Sequence, residues 1–411
     1  MSNDEFPSSS KPVMPEREFI FLMALLTALT ALGIDIILPA MPVIADTFGL
    51  KNANDQQLLV TVFMLGFAVG NPVVGPLADR FGRVRPLLVA LVLVFVVSLV
   101  AAWAPDYTWL LVARFVQGFC SAAARVIPMA IIRDRFGGRE MARITSIVMS
   151  IFIIVPVLAP SLGGLIVAYS DWKLLFLAIS LMALVLFVWS RARLSESLKP
   201  EDVVLLNPTA LAKTMWSVAG DRLTLGYALA QASVLAVIYC YLGSAQQIFG
   251  EQYGLGTLFP LAFSSIAIGL VIASLINSRI VVRLGMRLIG RRAGFAFMLI
   301  AAGHGVLTYF AEPPLMVFIV LIAAKMFLVG LLMPNLNALA MEPHGHRAGI
   351  ASAFLGFFST SIGAVVGGLI GSLYNGTTLP MMICFCFLGV AMLTFMWIAD
   401  NDRENHEVGM S

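Results

Sequence analysis

Asp35 is the acidic residue that lies deep inside a hydrophobic stretch, in the run Leu32-Gly33-Ile34-Asp35-Ile36-Ile37-Leu38-Pro39. A carboxylate at membrane depth is costly in free energy, and such groups usually face a cavity and take part in moving ions or protons. The residue type and its apolar neighbours therefore predict a group that binds and releases a proton.

Three cations also fall inside apolar stretches: Arg114, Arg125 and Lys325. The spacing of Arg114 and Arg125 places them about 20° apart around a helix axis and about 16 Å apart along it, on one face. Arg114 lies close in depth to Asp35, and we predict that the two act together in proton coupling. Arg125 and Lys325 are predicted substrate contacts. The alternatives are hydrogen bonding of Arg114 to backbone carbonyls of the fifth helix and extension of the other two side chains toward water.

Uncharged polar residues on the apolar helices are further candidates for substrate contact, namely Gln117, Tyr239 and Asn335. The two predicted substrate contacts Arg125 and Lys325, against one buried acid, favour neutral or anionic substrates over lipophilic cations. His304, between two glycines, is more typical of a packing residue. An enzyme would need a nucleophile with a base or a metal cluster. The scattered histidines and loop-bound acids indicate neither, and we predict no metal site and no enzyme.

The elements that carry these residues are membrane-spanning helices. The 411 residues are 60% hydrophobic and only 12% charged, with a mean hydropathy of +0.93, far outside the range of soluble domains. About 20 apolar residues suffice to cross the hydrocarbon core, and twelve such stretches are present. They lie at 19–43, 57–77, 86–104, 109–131, 142–168, 173–190, 222–246, 257–281, 289–310, 314–341, 349–375 and 379–399.

A polar stretch at 191–221 separates the helices into two sets of six. This is the repeat organisation of secondary transporters, which bind substrate between the halves near the bilayer midplane. The predicted fold is an all-α membrane protein with 12 transmembrane helices in two six-helix pseudo-symmetric halves. The predicted division is a cytoplasmic tail at 1–18, an N-terminal half at 19–190, a cytoplasmic linker at 191–221, a C-terminal half at 222–399 and a cytoplasmic tail at 400–411.

The distribution of positive charge predicts the orientation in the membrane. Most of the 26 Lys and Arg residues fall in the termini and in alternate loops, whereas the opposite loops hold only Lys51 and Lys173. Because loops rich in Lys and Arg stay in the cytoplasm, both termini are predicted to be cytoplasmic. The net charge of +3 gives no reason to expect nucleic acid as a partner.

Three motifs give the sequence a family resemblance. They are Gly75-Pro-Leu-Ala-Asp79-Arg80-Phe-Gly82-Arg83-Val-Arg85 after the second span, Arg114-Phe-Val-Gln117-Gly118 in the fourth, and Pro156-Val-Leu-Ala-Pro160-Ser-Leu-Gly163-Gly164 in the fifth. They resemble the loop signature, the second motif and the antiporter motif of the major facilitator superfamily. The resemblance narrows to its Bcr/CflA drug exporters through Asp35 with Leu38-Pro39-Ala40-Met41-Pro42, and through Pro334-Asn335-Leu-Asn337-Ala-Leu-Ala-Met341-Glu342-Pro343.

The loop motif predicts a gate. Gly75 and Gly82 permit a tight turn between two membrane helices. Asp79 is expected to accept hydrogen bonds from helix N-terminal amides, or to pair with an arginine across the two halves when the cytoplasmic side is closed. We predict a gating role for these three residues together with Arg80 and Arg83.

The motif in the fifth span predicts a kinked and closely packed helix. Pro156 and Pro160 favour the kink, and Gly163 with Gly164 lets a neighbouring backbone approach. We predict that these four residues seal the cavity against proton leak while the halves rock. The alternative is simple packing, because Gly and Pro are frequent in membrane helices.

The resemblance implies a proton-coupled exporter of small amphipathic toxic compounds such as antibiotics. It further implies a monomer in a bacterial inner membrane that uses the proton gradient and no cofactor. A proton-coupled symporter that imports a small metabolite or anion is the alternative, and the fifth-span motif is the feature against it. A passive facilitator would not need Asp35.

Overall fold

The computed structural model describes residues 14–203 and 208–408, and the secondary structure of these residues is helical throughout. The remaining parts of the predicted tails and linker, 1–13, 204–207 and 409–411, lie outside the described residues. The α-helices are α1 (Glu16–Asp35), α2 (Met41–Thr47), α3 (Leu58–Phe81), α4 (Val84–Ala102), α5 (Tyr107–Arg135), α6 (Gly138–Tyr169), α7 (Lys173–Arg193), α8 (Pro208–Ala219), α9 (Arg222–Gln247), α10 (Phe259–Leu284), α11 (Met286–Phe310), α12 (Leu315–Met341), α13 (Ala348–Gly371) and α14 (Leu379–Val408).

Twelve stretches of these helices are long and apolar enough to cross a membrane, which confirms the predicted all-α, twelve-helix fold. Several helices run past the predicted spans; α5, for example, continues to Arg135 beyond the predicted limit at 131. A helix satisfies its own backbone hydrogen bonds, so it has no reason to end where the apolar residues end. The predicted linker contains a helix of its own, α8.

The first span is interrupted at Asp35, where α1 ends. The cause lies four residues further on, because the ring of Pro39 clashes with the carbonyl of residue 35 and proline has no N–H to donate. A 3₁₀ turn, Leu38–Ala40, follows before α2 begins. The Ala40 amide donates to the Ile37 carbonyl at 2.9 Å, so the carbonyl of Ile36 lacks its usual helical donor.

Small residues let the helices of the N-terminal half pack closely. A Cβ on Gly118 of α5 would lie 2.0 Å from the Phe63 carbonyl of α3, and a Cβ on Gly66 would lie 2.0 Å from the Phe115 carbonyl. Only glycine permits two backbones to approach this far. The two halves meet where α6 packs on α10 and where α3 packs on α13.

Candidate functional site

The break in the first span presents the Asp35 side chain from a helix end. Asp35 is 4% exposed and forms no ion pair or hydrogen bond with the residues that the structure describes. Buried carboxylates are normally paired or hydrogen-bonded, because an unpaired charge in an apolar medium is costly. A lone carboxyl group at this depth can remain at low cost only in its protonated form, which suits a group that exchanges a proton.

The glycines of the fifth span lie against this break. A Cβ on Gly163 of α6 would be 2.1 Å from the carbonyl oxygen of Ile36, next to Asp35, and a Cβ on Gly164 would be 3.0 Å from Cγ of Pro260 on α10. One glycine therefore contacts the first span and its neighbour contacts the other half of the protein. Pro156 and Pro160 lie inside the same helix, within two turns before these glycines. Their predicted coupling role stays a prediction.

Tyr241 of α9 completes the surroundings of Asp35 from the C-terminal half. It interacts electrostatically with Asp35, and α9 contacts the turn Leu38–Ala40. The Tyr241 ring stacks on Phe263 with centroids 5.5 Å apart, while its buried hydroxyl has no hydrogen-bond partner in the described part of the chain. Sequence reasoning missed Tyr241, since nothing in its neighbours distinguishes it from a packing residue.

Arg114 is placed differently from the prediction. The guanidinium is fully buried and donates from Nη1 to the Gly33 carbonyl at 2.8 Å and from Nε to the Leu59 carbonyl at 3.1 Å. Its Cζ lies 4.3 Å from the centroid of the Phe63 ring. The predicted pairing of Arg114 with Asp35 is not formed in this structure; Arg114 instead holds α1 two residues before Asp35. Unsatisfied carbonyls are costly in a membrane, and they draw the guanidinium toward the backbone.

Gln117 is also occupied inside the N-terminal half. Its Oε1 accepts from Arg114 at 2.5 Å, and its Nε2 donates to the Ser98 hydroxyl at 2.7 Å. The close approach at Gly118 brings α3 within reach of Arg114. This arrangement does not support the predicted substrate contact for Gln117 and instead orients Arg114.

Arg125 and Tyr239 are the predicted substrate contacts that lie between the halves. Both are half-buried, and they interact electrostatically across α5 and α9. The Arg125 Cζ lies 5.0 Å from the centroid of the Phe152 ring on α6. An arginine that stacks on an aromatic ring and keeps solvent access is positioned to receive a ligand at this surface.

Lys325 and Asn335, both on α12, turn away from that surface. Lys325 is 0% exposed and contacts α11 and α14 within the C-terminal half. The Asn335 amide donates at 2.7 Å to Asn277 Oδ1 on α10 and at 2.7 Å to the Leu331 carbonyl. Neither position supports the predicted substrate contact. Apart from Lys325, Asn335 and Asn337, α12 is apolar around its whole circumference, so its sequence did not reveal which face is inside.

The loop motif forms a network within the N-terminal half. Arg83 contacts Asp79 and donates from Nε to Asp134 Oδ2 at 2.8 Å. Burial works to lower the pKa of Arg83, but the hydrogen bonds to Asp134 and Asp79 outweigh it and raise the pKa above its ordinary value. The predicted pairing of Asp79 across the halves is not formed here. The acceptor for the first amides of α4 is Glu196, at 2.8 Å from Arg83 N and 3.1 Å from Val84 N.

The two glycines of this motif have different surroundings. Gly82 has φ +86°, and a Cβ on it would lie 2.5 Å from Glu196 Oε2. Gly75 lies inside α3, and a Cβ added to it would meet nothing within 4 Å, so the prediction that both glycines form the turn is wrong for Gly75. Arg80 extends over the Phe81 ring, with Cζ 5.4 Å from its centroid.

Gly82→Ala is therefore expected to destabilise the protein, whereas Gly75→Ala is not. The Gly82 backbone lies in a region that is essentially restricted to glycine, which costs a substituted residue about 1–3 kcal/mol, and the new methyl group would displace Glu196. Thermal unfolding of the detergent-solubilised variants measures the difference. Equal melting temperatures for Gly82→Ala and Gly75→Ala would contradict this account of the turn.

A buried polar network joins the halves at the end of the bundle opposite the chain termini. Gln57 Nε2 donates to Gln247 Oε1 at 2.6 Å and to the Gly371 carbonyl at 3.0 Å. Gln247 Nε2 donates to Asn54 Oδ1 at 2.9 Å, and Asn54 Nδ2 donates to the Tyr374 carbonyl at 2.8 Å. We call these residues, Asn54, Gln57, Gln247, Gly371 and Tyr374, the amide latch. It holds that end of the interface closed, and the sequence did not predict it.

Known proteins share both the sequence pattern and the fold. The family model described as Major Facilitator Superfamily matches residues 23–368. The chain is 32% identical over 379 residues to an uncharacterized MFS-type transporter, YdgK, of Bacillus subtilis, covering 91% of this chain and 94% of that protein. It is 27% identical over 368 residues to a bicyclomycin resistance protein homolog of Haemophilus influenzae, covering 89% and 91%. A crystal structure of a D-xylose-proton symporter has the same fold, with a TM-score of 0.73 at 16% identity, covering 92% of this chain and 97% of that one.

Proposed function

The chain belongs to the major facilitator superfamily, and on that premise we propose that it exports small amphipathic toxic compounds in exchange for protons, with Asp35 as the proton-binding group. The protein is a multi-pass membrane transporter and not an enzyme. We propose that it acts as a monomer in a bacterial inner membrane, which its bacterial relatives support. Both termini are then cytoplasmic, because positively charged loops stay inside. The proton gradient supplies the energy, and no cofactor is needed.

One observation carries this proposal. The buried Asp35 carboxyl group has no partner among the described residues, and it lies at a helix break between the two halves. Broken membrane helices at the interface between repeats are where secondary transporters bind substrates and coupling ions. Gly163 of α6 packs against the break within the N-terminal half, and Tyr241 of α9 interacts with Asp35 from the C-terminal half. A movement of the halves would therefore change what surrounds the carboxyl group.

The amide latch closes one end of the interface between the halves in this structure. In the proposed orientation this end faces outward, so the latch closes the interface to the outside. The loop motif at the inner end contacts its own half through Arg83 and Asp134, so Asp79 would gain a partner across the halves only after they rock. Alternating access then requires the amides of the latch to exchange their partners for water.

The transport cycle follows from the two charge states of Asp35. With the cavity open inward, Asp35 releases its proton to the cytoplasm and substrate binds near Arg125 and Tyr239. After the latch opens, a proton from outside neutralises Asp35 and favours substrate release. The protonated carboxyl group then returns through the apolar interior, because a neutral group crosses it at lower cost than a charged one.

The energy of one proton is adequate for export. A single elementary charge that moves through about 100 mV supplies about 2.3 kcal/mol. This free energy could sustain a substrate gradient on the order of 50-fold. Similarity to the bicyclomycin resistance homolog supports the proposed substrate class. The positions of Arg125 and Tyr239 between the halves also support it. With Lys325 turned away, Arg125 is the one predicted cation that supports a preference for neutral or anionic compounds.

Transport into proteoliposomes tests the proposal and its direction. With the vesicle interior acidic, protons that leave should drive accumulation of radiolabelled bicyclomycin or of another antibiotic from a small panel, and a protonophore should abolish it. Vesicles with an acidic exterior serve as the matched control. Accumulation driven by external acid would identify a symporter, and uptake that only equilibrates the compound under either gradient would identify a facilitator; either result contradicts the proposal.

A further inference from the structure

A second buried polar site lies in the C-terminal half, away from Asp35 and from the interface between the halves. Lys325 of α12 is 0% exposed, and its Nζ is 2.8 Å from His304 Nδ1 on α11. Met382 Sδ on α14 lies 2.9 Å from Lys325 Nζ, and the centroid of the Phe385 ring lies 5.5 Å from Lys325 Nζ. His304 is 1% exposed, with its ring edge-on to Phe318 at 5.6 Å.

The contact between the two nitrogens limits the number of protons at this site. A charged lysine has three donors and no acceptor, and a charged histidine has two donors and no acceptor. At 2.8 Å one nitrogen must accept from the other, so the pair cannot hold both positive charges at once. Lys325 and His304 together therefore carry at most one net positive charge, and either nitrogen can hold that proton.

No carboxylate neutralises this proton in the described part of the chain. The titratable group in contact with Lys325 is His304 on α11. The carboxylates described around these helices lie at their ends, namely Glu251, Glu312, Glu342 and Asp400. Ionisable groups inside a membrane usually pair with an opposite charge; this pair does not.

The second ring nitrogen of His304 supplies a position for exchange. His304 Nε2 is buried and has no hydrogen-bond partner among the described residues. A purely structural histidine would normally be hydrogen-bonded through both nitrogens, because an orphaned buried polar atom is costly. Here one nitrogen holds the shared proton with Lys325, and the other remains available to receive or give one.

We propose that Lys325 and His304 form a second proton-binding site, which exchanges one proton independently of Asp35. The ligand is the proton itself. The site gives the C-terminal half a titrating group of its own, whereas Asp35 serves the N-terminal half. Exchange at both sites would allow the protein to move more than one proton in each cycle, and this consequence alone rests on the proposed antiport function.

Nitrogen NMR of the histidine rings tests the proposal without any substrate. The chain has only four histidines, so ¹⁵N-histidine labelling of the detergent-solubilised protein gives few signals, and His304→Gln assigns those of His304. We expect both ring nitrogens of His304 to shift in one transition between about pH 3 and pH 8, a range that extends to the acid side of the pH of about 5 to 8 in which histidine commonly titrates. Constant His304 signals across this range would overturn the proposal.

Two variants separate a shared proton from a lone histidine. Lys325→Arg keeps a cation that cannot lose its proton, so the His304 ring should stay neutral and its signals should stop responding to pH. Lys325→Met removes the partner, and replacing a buried ion by an apolar side chain is often tolerated; the transition should then move to another pH. An unchanged transition in both variants would contradict sharing. Asp35 is intact throughout, so failure here leaves the antiport proposal standing.

Discussion

Asp35→Asn should abolish energised export while leaving a folded protein that still binds substrate. Asparagine is close to the shape of the protonated carboxyl group, and Asp35 makes no hydrogen bond or ion pair with the described residues that the change would break. What it removes is the exchangeable proton. The gradient on the order of 50-fold that one charge could sustain at about 100 mV should disappear.

The measurement is accumulation of a labelled antibiotic in proteoliposomes with an acidic interior. Exchange of labelled for unlabelled antibiotic across the vesicle membrane, without any proton gradient, is measured alongside. Asp46→Asn is the matched control, because Asp46 lies on α2 and is exposed. It should transport as the unaltered protein does. Gradient-driven accumulation by Asp35→Asn at the level of the Asp46→Asn protein would remove Asp35 from the mechanism.

Gly163→Ala should impair both stability and coupled transport, and Gly164→Ala should not. The methyl group of the first variant would lie 2.1 Å from the backbone carbonyl of Ile36, and a backbone cannot rotate away as a side chain can. The helices must separate by about an ångström beside Asp35, and overpacking of this kind costs about 1–3 kcal/mol. The methyl group of the second would meet Cγ of Pro260 at 3.0 Å, which a small adjustment relieves.

Melting temperature in detergent and gradient-driven uptake in proteoliposomes would be measured on the two variants together. Because they add the same atom to adjacent residues of α6, they differ mainly in what that atom meets. Loss of uptake in Gly163→Ala with near-normal uptake in Gly164→Ala is the expected result. Equal effects would show that the contact with Ile36 has no special part in coupling.

The sequence predicted which residues lie deep in the membrane, but it did not predict which way their side chains point. It predicted twelve spans and identified Asp35, because length, hydropathy and a charge in an apolar run are properties of residues along a chain. It could not tell which way Lys325 points. In a membrane helix such as α12 the lipid-facing and protein-facing residues are equally apolar, so the periodicity that orients a soluble helix is missing.

Arg114 illustrates the second limit. Its depth near Asp35 was consistent with pairing, yet it binds the carbonyls of Gly33 and Leu59. Backbone acceptors are present at every residue, so a sequence does not distinguish an arginine that pairs with an acid from one that holds a helix. The amide latch was missed for a related reason. Gln57 and Gln247 are ordinary residues at span ends, and only the packing of the halves brings them together.

Proton release on substrate binding is the most direct test of Asp35 as the coupling group. The detergent-solubilised protein, in weakly buffered solution at a pH where Asp35 is protonated, would be mixed with bicyclomycin or another antibiotic that calorimetry shows to bind. We predict that binding releases protons from the unaltered protein, and that Asp35→Asn binds the compound but loses this release. Equal release from the two proteins, or binding to the unaltered protein without any release, would contradict the account.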